Sequence, residues 1–407
     1  MSQASISPTP AAVPLLGRGL TLAMAIACGI AVANIYYNQP MLSIIERDFP
    51  GTSLTGMIPT ATQLGYAVGL FFLVPLGDLM DRRRLIVVQF LILGAALIVA
   101  AVAPTAGILV LASLLVGATA TVAQQIVPFA ASLATPEKRG STIGTVMSGL
   151  LCGILFSRTL AGFIASHFGW RMTFWVGLPL ALVAAGMMAI ALPRHRHPHG
   201  GMNYHRAIYS LFHLWRDEPA LRRATVMQAA LFASFTAFWT ILAFHLEEPA
   251  FHQGADVAGL FGIIGAVGIF AAPIAGRLAD RRGPKLVIAL GAVLTLIAWM
   301  AFGLWNAMAG LIAGVIVLDF GVQSALVSNQ HTIYALRPEA RSRLNTIFMT
   351  GMFIGGSIGS AGATAAWRSG GWPAVGLYGA VLAGLALAIE FASRRRRHAR
   401  HTPSTGA

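Results

Sequence analysis

A short stretch that occurs twice decides the fold of this chain. Gly77-Asp78-Leu79-Met80-Asp81-Arg82-Arg83-Arg84 ends the second long apolar segment, and Gly276-Arg277-Leu278-Ala279-Asp280-Arg281-Arg282-Gly283 ends the eighth. The two aspartates Asp81 and Asp280 are 199 residues apart. Working outward from these stretches, Pro136-Glu137 precedes Pro338-Glu339 by 202 residues, and Gly169-Trp170 precedes Gly371-Trp372 by the same interval. The chain is therefore predicted to contain two halves that repeat one architecture.

Composition places both halves in a membrane. Of 407 residues, 56% are hydrophobic and 10% are charged, which leaves too little polar surface for a soluble protein. A membrane-spanning helix needs about 20 apolar residues, and twelve such segments are present, near 19–45, 54–77, 85–103, 106–133, 140–166, 170–192, 222–246, 255–276, 285–305, 307–334, 342–366 and 371–393. Their length favours helices over a barrel. The predicted fold class is an all-α integral membrane protein with 12 transmembrane helices in two pseudo-symmetric six-helix bundles.

The basic charge follows from topology. The formal net charge is +14, yet with a cytoplasmic N-terminus 24 of the 28 Lys and Arg residues fall on the cytoplasmic side. This positive-inside bias predicts a multi-pass protein of the bacterial inner membrane with both termini cytoplasmic. It argues against nucleic acid as a partner, and it makes anionic membrane lipid the expected partner of the basic residues.

Five segments are predicted along the chain. They are a disordered cytoplasmic tail (1–18), a first bundle (19–192), a cytoplasmic linker (193–221), a second bundle (222–393) and a basic cytoplasmic tail (394–407). Apolar residues at helical spacing between basic ones predict an interfacial helix in the linker. Its His-rich start is interpreted as a solvated linker rather than a metal site. Cys28 and Cys152 lie in apolar segments, so no disulfide and no metal centre are predicted.

Twelve spans in two halves, with a Gly-x-x-x-Asp-Arg turn after spans 2 and 8, resemble the major facilitator superfamily over about residues 19–393. Within it, the chain looks like the bacterial drug/proton antiporter-type branch, and it resembles one subgroup of that branch through residues 34–40, 157–162, 319–323, 328–330 and 343–345. Two departures stand out. Ser113 replaces an arginine that the family often has in span 4, and Ser157-Arg158 replaces the Gly-Pro of the antiporter signature in span 5.

The resemblance implies a gating role for the repeated turns, through Gly77, Asp78, Asp81, Arg82, Gly276, Asp280 and Arg281. Gly77 would let a neighbouring helix approach closely. Asp81 would accept hydrogen bonds from a helix N-terminus, which the family implies is that of span 11. This contact would form in the outward-facing state and break as the inside opens. The alternative is a plain basic turn that obeys the positive-inside rule.

Two charges lie deep within spans. Arg158 lies about 13 Å and Asp319 about 18 Å from the outer face, at 1.5 Å per helical residue. Charges at such depth are costly, which makes both residues functional candidates. We expect them to be coupling residues that pair or compete during the cycle, with Asp319 carrying a proton. A static ion pair, or separate polar contacts, is the alternative.

A substrate cavity is predicted from polar and aromatic side chains of spans 1, 2, 4, 7 and 10. These are Asn34, Tyr36, Tyr37, Asn38, Gln39, Gln63, Gln124, Gln125, Trp239 and Gln323. Amides and aromatic rings suit an uncharged or amphipathic compound, although the same side chains can simply hold helices together. By resemblance, an inner gate is expected at Asn329, Gln330, Arg341, Arg343 and Asn345.

Neither a phosphate-binding Gly-x-x-x-x-Gly-Lys-Ser/Thr loop nor a His-Glu-x-x-His motif occurs in the sequence. We therefore predict no enzymatic activity, no catalytic residues and no cofactor, with the proton gradient as the energy source. The predicted function is alternating-access export of a small organic or drug-like compound in exchange for protons. A symporter or facilitator that imports a small metabolite is the alternative, followed by a non-transporting membrane sensor. The expected partners are the small-molecule substrate, protons and membrane lipid, and the chain is expected to be a monomer.

Overall fold

The computed structural model describes residues 17–135, 137–193 and 203–401, and the regular structure of these residues is entirely helical. Residues 1–16 of the predicted N-terminal tail, the His-rich start of the linker and residues 402–407 lie outside the described part, as does the side chain of Asp78. Within this described part of the chain, eleven continuous segments are long and apolar enough to cross a membrane. The last segment, Arg341–Ala392, contains two spans, because Gly370 and Gly371 leave helical geometry. The predicted all-helical fold with 12 spans is confirmed.

Six spans form the first half. Span 1 combines the helices Arg18–Tyr36 and Leu42–Asp48 with a 3-10 turn at Gln39–Met41, where Pro40 cannot donate a backbone hydrogen bond. Span 2 combines Ile58–Phe72 with 3-10 turns at Thr55–Met57 and Val74–Asp78. The helices of spans 3 to 6 are Arg82–Ala101, Ala106–Ala120 with Val122–Leu133, Arg139–Phe168, and Trp170–Ala191.

The second half repeats this order after a helix in the linker, Tyr204–Asp217. Span 7 is Pro219–Glu247, and span 8 combines Ala255–Gly265 and Ala271–Arg282 with a 3-10 turn at Ala266–Phe270. Spans 9 and 10 are Pro284–Leu304 and Met308–Tyr334. A 3-10 turn at Pro338–Ala340 leads into Arg341–His401, which carries spans 11 and 12.

In each half, glycines allow the first and fifth spans of that half to pack closely: spans 1 and 5 in the first half, and spans 7 and 11 in the second. At Gly149 and Gly153 of span 5, an added Cβ would lie 2.2 Å from a carbonyl oxygen of span 1. At Gly355 and Gly359 of span 11, it would lie 2.3 and 2.1 Å from a carbonyl oxygen of span 7. Only glycine permits backbones to approach this closely. The repeat in the sequence therefore corresponds to the same close helix crossing in both halves, between spans 1 and 5 and between spans 7 and 11.

Successive spans run in opposite directions, so the turns at Asp81 and Asp280 lie at one membrane face, which we call the motif face. The opposite face carries Asp48 and Glu247. The linker helix lies at the motif face, where its buried residues Leu211 and Leu214 pack with residues of the second half. The two halves meet along spans 2 and 11 and along spans 5 and 8.

Candidate functional site

Arg158 is buried in span 5, where groups from both halves surround its guanidinium. Its Nε donates a hydrogen bond to Gln39 Oε1 at 2.8 Å. Its Cζ lies 4.4 Å from the ring centroid of Tyr36 and 4.0 Å from that of Trp239, which are cation–π distances. Gln39 and Tyr36 belong to span 1, whereas Trp239 belongs to span 7. Arg158 therefore joins the two halves, and its Nη2 is buried without a hydrogen-bond partner.

Asp319 is buried in span 10 beside the interrupted part of span 8. A Cβ added at Gly265 would lie 3.1 Å from Trp239 Cζ2 and 3.2 Å from Asp319 Oδ1. Because span 8 has no side chain at this position, Trp239 and Asp319 approach each other there. The Oδ2 atom of Asp319 is buried and lacks a hydrogen-bond partner.

The predicted ion pair between Arg158 and Asp319 is not formed in this conformation. Among the described residues, no carboxylate oxygen lies within 4.0 Å of the Arg158 guanidinium. The Trp239 ring covers one side of the guanidinium, and Trp239 Cζ2 and Asp319 Oδ1 both lie beside the Cβ position of Gly265.

Hydrogen bonds and an ion pair hold the two halves together toward the opposite face. Arg47 Nη2 lies 2.8 Å from Glu247 Oε1. The Thr159 hydroxyl donates to the carbonyl oxygen of Gly259 at 3.0 Å. Farther along the interface, the Thr364 hydroxyl donates to the carbonyl oxygen of residue 56 at 3.0 Å. The opposite face is closed by these contacts.

A cavity of about 320 Å³ lies between the halves at the motif face. Gln124 and Gln125 of span 4 line it from the first half, and Arg343 and Thr346 of span 11 line it from the second. Its rim includes the exposed residue Ser342, so solvent reaches the cavity from this face. The conformation is therefore open at the motif face and closed at the opposite face.

Of the ten predicted cavity residues, Gln124 and Gln125 line this cavity. Gln124 Nε2 donates to the Tyr66 hydroxyl at 3.2 Å, and Gln125 Nε2 donates to Gln89 Oε1 at 2.7 Å. The eight others do not line this cavity in the conformation described, so their role as substrate-cavity residues stays a prediction: Asn34, Tyr36, Tyr37, Asn38, Gln39, Gln63, Trp239 and Gln323. The reason is that the contacts between the halves close the site above the cavity.

Several of these eight residues make contacts that hold helices together. Asn38 Nδ2 of span 1 donates to the Thr62 hydroxyl of span 2 at 2.8 Å. Asn34 Nδ2 instead donates to the carbonyl oxygen of Ile30 at 2.7 Å, within its own helix. Gln63 is buried and faces Gly356 of the second half. Gln323 is half-buried and packs near Gly268 of span 8.

The gating turns differ from each other in the structure. Asp81 is the N-cap of its own span 3, and it accepts hydrogen bonds from the backbone N–H groups of Arg83 at 2.9 Å and Arg84 at 3.4 Å. The predicted contact of Asp81 with span 11 is therefore absent in this conformation. Arg82 and Arg343 line opposite sides of the cavity, which separates the turn from the start of span 11. Arg82 Nε donates to the carbonyl oxygen of Gly77 at 2.9 Å.

At the second turn, the helix of span 8 continues to Arg282 and ends at Gly283, whose φ is 85°. Asp280 and Arg281 are exposed, and Gly276 has open space on its Cβ side. Arg84 occupies the position equivalent to Gly283. In the first turn the helical part of span 2 ends before Asp81, which caps the N-terminus of span 3, whereas in the second turn span 8 stays helical to Arg282.

The five predicted inner-gate residues lie in different surroundings and do not form one cluster. Arg343 lines the cavity. Asn329 Nδ2 donates to Gln228 Oε1 at 3.2 Å, and Asn345 Oδ1 accepts a hydrogen bond from the Tyr334 hydroxyl at 2.8 Å. Gln330 contacts the sulfur of Met349, and Arg341 binds the carbonyl oxygen of Tyr334. Only Arg343 of the five is brought to the cavity.

Two features of the interface between the halves were not predicted from the sequence. The rings of Tyr66 in span 2 and Phe353 in span 11 pack across the halves, with centroids 4.2 Å apart. Ser342 and Thr346, spaced four apart at the start of span 11, both line the cavity. Tyr66 follows Gln63 by three residues, so helical spacing alone would have placed it on the same face.

The comparisons with known proteins agree with this architecture. The sequence model of the Major Facilitator Superfamily matches residues 24–335 and, in an overlapping match, residues 250–407. The chain belongs to the major facilitator superfamily. Among its relatives is YgaY of Escherichia coli O157:H7, described as an uncharacterized transporter, which is 42% identical over 390 residues covering 94% of this chain and 98% of YgaY. This superfamily member is accordingly a membrane transporter rather than an enzyme.

Two further similarities support the assignment. SCO4007 of Streptomyces coelicolor, described as a probable transporter, is 32% identical over 92% of this chain and 90% of its own length. A solved bacterial homologue of the human lysosomal transporter Spinster, inward-facing and unoccupied, superposes with a TM-score of 0.74 at 15% identity. It covers 93% of this chain and 96% of its own, and at this identity the likeness concerns the fold alone.

The ion pair at the opposite face yields a prediction. Glu247→Arg would place two cations together, and we expect it to increase the population open at the opposite face about two- to fivefold, because an exposed pair contributes only about 0.2–1 kcal/mol. The measurement is the spin-label distance between Leu54→Cys and Arg368→Cys, two exposed positions in different halves, in a Cys152→Ser background. The exchanged pair Arg47→Glu/Glu247→Arg should restore the native distances. If Glu247→Arg alone leaves them unchanged, this ion pair does not contribute to closure.

Proposed function

We propose that this protein is a secondary active transporter that works by alternating access and exports a small organic compound in exchange for protons. One observation carries the proposal. A cavity lies between the halves at the motif face, while an ion pair, hydrogen bonds and the Arg158 cluster hold the halves together toward the opposite face. Such a structure supports a cycle in which the halves rock about a shared site.

The proposed setting is the bacterial inner membrane, with the motif face and both termini in the cytoplasm. The positive-inside distribution of Lys and Arg supports this orientation. A compound entering the cavity would then come from the cytoplasm, which is the side from which an exporter loads.

The cavity lining suggests the kind of compound. Its volume of about 320 Å³ is at the small end of ligand pockets. Gln124, Gln125 and Thr346 offer amide and hydroxyl groups, while Val74 and Pro128 offer apolar surface. This combination suits a small amphipathic molecule that gains affinity from both hydrogen bonds and apolar contact.

Asp319 and Arg158 are the proposed coupling residues. Both are buried, and each has one polar atom without a hydrogen-bond partner. A proton on Asp319 would remove one of two interacting charges, and the attraction that acts across Trp239 would weaken. Since Arg158 contacts Trp239 of the other half, its electrostatic environment would affect how firmly the halves are held together.

Import of a metabolite by symport is the second candidate. Arg158 favours it, because an arginine stands in span 5 where the antiporter signature has Gly-Pro. A symporter and an antiporter can share this cavity and this pair of charges. They differ in whether the proton and the substrate bind together or exclude each other.

Transport in inverted membrane vesicles tests the proposal. Vesicles that contain the protein should accumulate a compound from a chemically diverse panel when the lumen is acidified, and a protonophore should abolish that accumulation. Vesicles without the protein are the control. Accumulation that is equal with and without the protonophore would contradict proton coupling, and substrate loss from preloaded, acidified vesicles would favour symport.

A further inference from the structure

The linker helix Tyr204–Asp217 has two different faces. Leu211 and Leu214 are buried, and Ala207 is half-buried beside them. The other face exposes two large rings, because Tyr209 is 65% and Phe212 is 58% accessible. Rings left in water on an amphipathic helix indicate that something covers this face in the membrane-bound protein.

One end of the linker helix is fixed to the second half. Arg337 Nε donates to Glu218 Oε1 at 2.7 Å, just after the helix ends. Arg222 Nη1 donates to the backbone carbonyl oxygen of Arg216 at 2.7 Å, at the C-terminal end of the helix. Leu211 and Leu214 pack in one cluster with residues of spans 7, 10 and 11, namely Leu221, Ile333 and Leu344.

The other end touches the first half. The Tyr204 hydroxyl donates to the carbonyl oxygen of Phe72 at 3.0 Å, and the rings of Phe71 and Phe212 meet edge to face at 5.7 Å between centroids. Between these anchors, Ala207 and Leu211 line the cavity. The helix therefore lines one side of the cavity mouth and contacts both halves.

The exposed face of the linker helix is basic. Arg206 and Arg216 are exposed, and within the described part of the chain neither side chain forms an ion pair. His205 and His213 are exposed on the same face. Asp217, which follows Arg216 in the sequence, has its Oδ2 atom 4.0 Å from Arg337 Nη2. Arginine beside interfacial aromatic rings is the combination that binds the phosphates of anionic lipids and inserts at the head-group level.

We propose that the exposed face of the linker helix binds the head groups of anionic phospholipids, and that this binding holds the helix in the position described here, beside the open mouth of the cavity. A ligand that binds one conformation better shifts the population toward it. Anionic lipid thereby favours the conformation that is open at the motif face. Lipid binding stands apart from the proposed transport function, whereas the effect on the cavity rests on alternating access.

Lipid binding is tested by native mass spectrometry of the full-length protein in detergent, titrated with phosphatidylglycerol or phosphatidylcholine. Arg206→Gln/Arg216→Gln should bind phosphatidylglycerol at least about fivefold more weakly than the native chain. Arg206→Lys/Arg216→Lys should retain binding, because the charge remains. Arg277→Gln/Arg368→Gln removes two exposed arginines elsewhere and should bind as the native chain does.

Equal affinity of the Arg206→Gln/Arg216→Gln variant and the Arg277→Gln/Arg368→Gln control would overturn the proposal, as would equal binding of the two lipids. A two-copy complex that the Arg206→Gln/Arg216→Gln change dissociates would assign the face to a second copy of this chain, and would also overturn it. Thermal unfolding of each variant shows whether the chain is folded, independently of lipid binding.

The effect on the cavity needs no substrate. In a Cys152→Ser background, Ser342→Cys on the rim of the cavity should react with a water-soluble maleimide several-fold faster in liposomes containing phosphatidylglycerol than in phosphatidylcholine alone. Arg206→Gln/Arg216→Gln should abolish that difference. Equal labelling rates in both lipids would refute the effect on the cavity, even in a protein whose substrate transport is normal.

Discussion

We expect Asp319→Asn to abolish proton-driven accumulation of the substrate and to leave substrate exchange intact, which is the largest functional effect that we predict. Asn has nearly the same shape as Asp and cannot gain or lose a proton. With one proton per substrate, a pH difference of one unit supplies about 1.4 kcal/mol and can hold a gradient of about tenfold. In the variant that ratio should fall to about one.

The structure explains why exchange should survive. Asp319 is absent from the lining of the cavity at the motif face, so the substitution leaves Gln124, Gln125 and Thr346 in place. Its Oδ2 atom lacks a hydrogen-bond partner, so the change of Oδ2 to an amide nitrogen breaks no existing hydrogen bond. The expected loss is therefore one of coupling rather than of substrate binding.

Proteoliposomes with an imposed pH gradient separate the two activities, because counterflow at equal pH measures exchange alone. The matched control is Glu390→Gln, which removes another buried carboxylate, in span 12. That control should retain accumulation. Full proton-driven accumulation by Asp319→Asn would remove Asp319 from the coupling mechanism.

Gly153→Ala should have the largest effect on stability, a loss of about 1–3 kcal/mol in the free energy of unfolding. The added methyl group would lie 2.2 Å from the carbonyl oxygen of Gly29 and 2.6 Å from its Cα. Both are backbone atoms, so no side-chain rotation can relieve the overlap. Spans 1 and 5 would have to move apart, and the apolar contacts along their crossing would be lost.

Gly144→Ala is the control for this change, because Gly144 lies in the same helix with nothing within 4 Å of its Cβ position. It should be neutral or slightly stabilising, since alanine favours helix by about 1 kcal/mol. Thermal unfolding in detergent, together with the yield of monodisperse protein, measures both variants. Equal stability of Gly153→Ala and Gly144→Ala would show that the crossing adjusts without cost.

Much of the fold could be predicted from the sequence, because lipid imposes a minimum length and polarity on every span. The break at Gly370-Gly371 and the repeated turns were readable as glycines and charges between apolar segments. The unequal ends of the two turns were harder to predict. The sequence shows Arg84 where the second turn has Gly283. It does not show that Asp81 caps span 3 in the first turn whereas span 8 continues to Gly283 in the second, because this difference depends on the geometry of each turn.

The depth of Arg158 and Asp319 in the membrane could be predicted from the sequence, but the direction of their side chains could not. Helical rise places Arg158 and Asp319 at similar levels, whereas the direction in which each side chain points depends on how the spans rotate against each other. For that reason the position of Trp239, against the Arg158 guanidinium and beside Asp319, could not be derived. The sequence also encodes every conformation of the cycle at once, so it does not indicate which face is closed.

The backbone contact between spans 1 and 5, and its counterpart between spans 7 and 11, has a consequence for adaptation. These crossings depend on positions that tolerate only glycine, and none of those glycines lines the cavity. At the proposed substrate cavity, substitutions at Gln124 or Thr346 should therefore alter which compounds are accepted without loosening the crossings. A protein built this way can acquire a new specificity through few mutations while its scaffold stays unchanged.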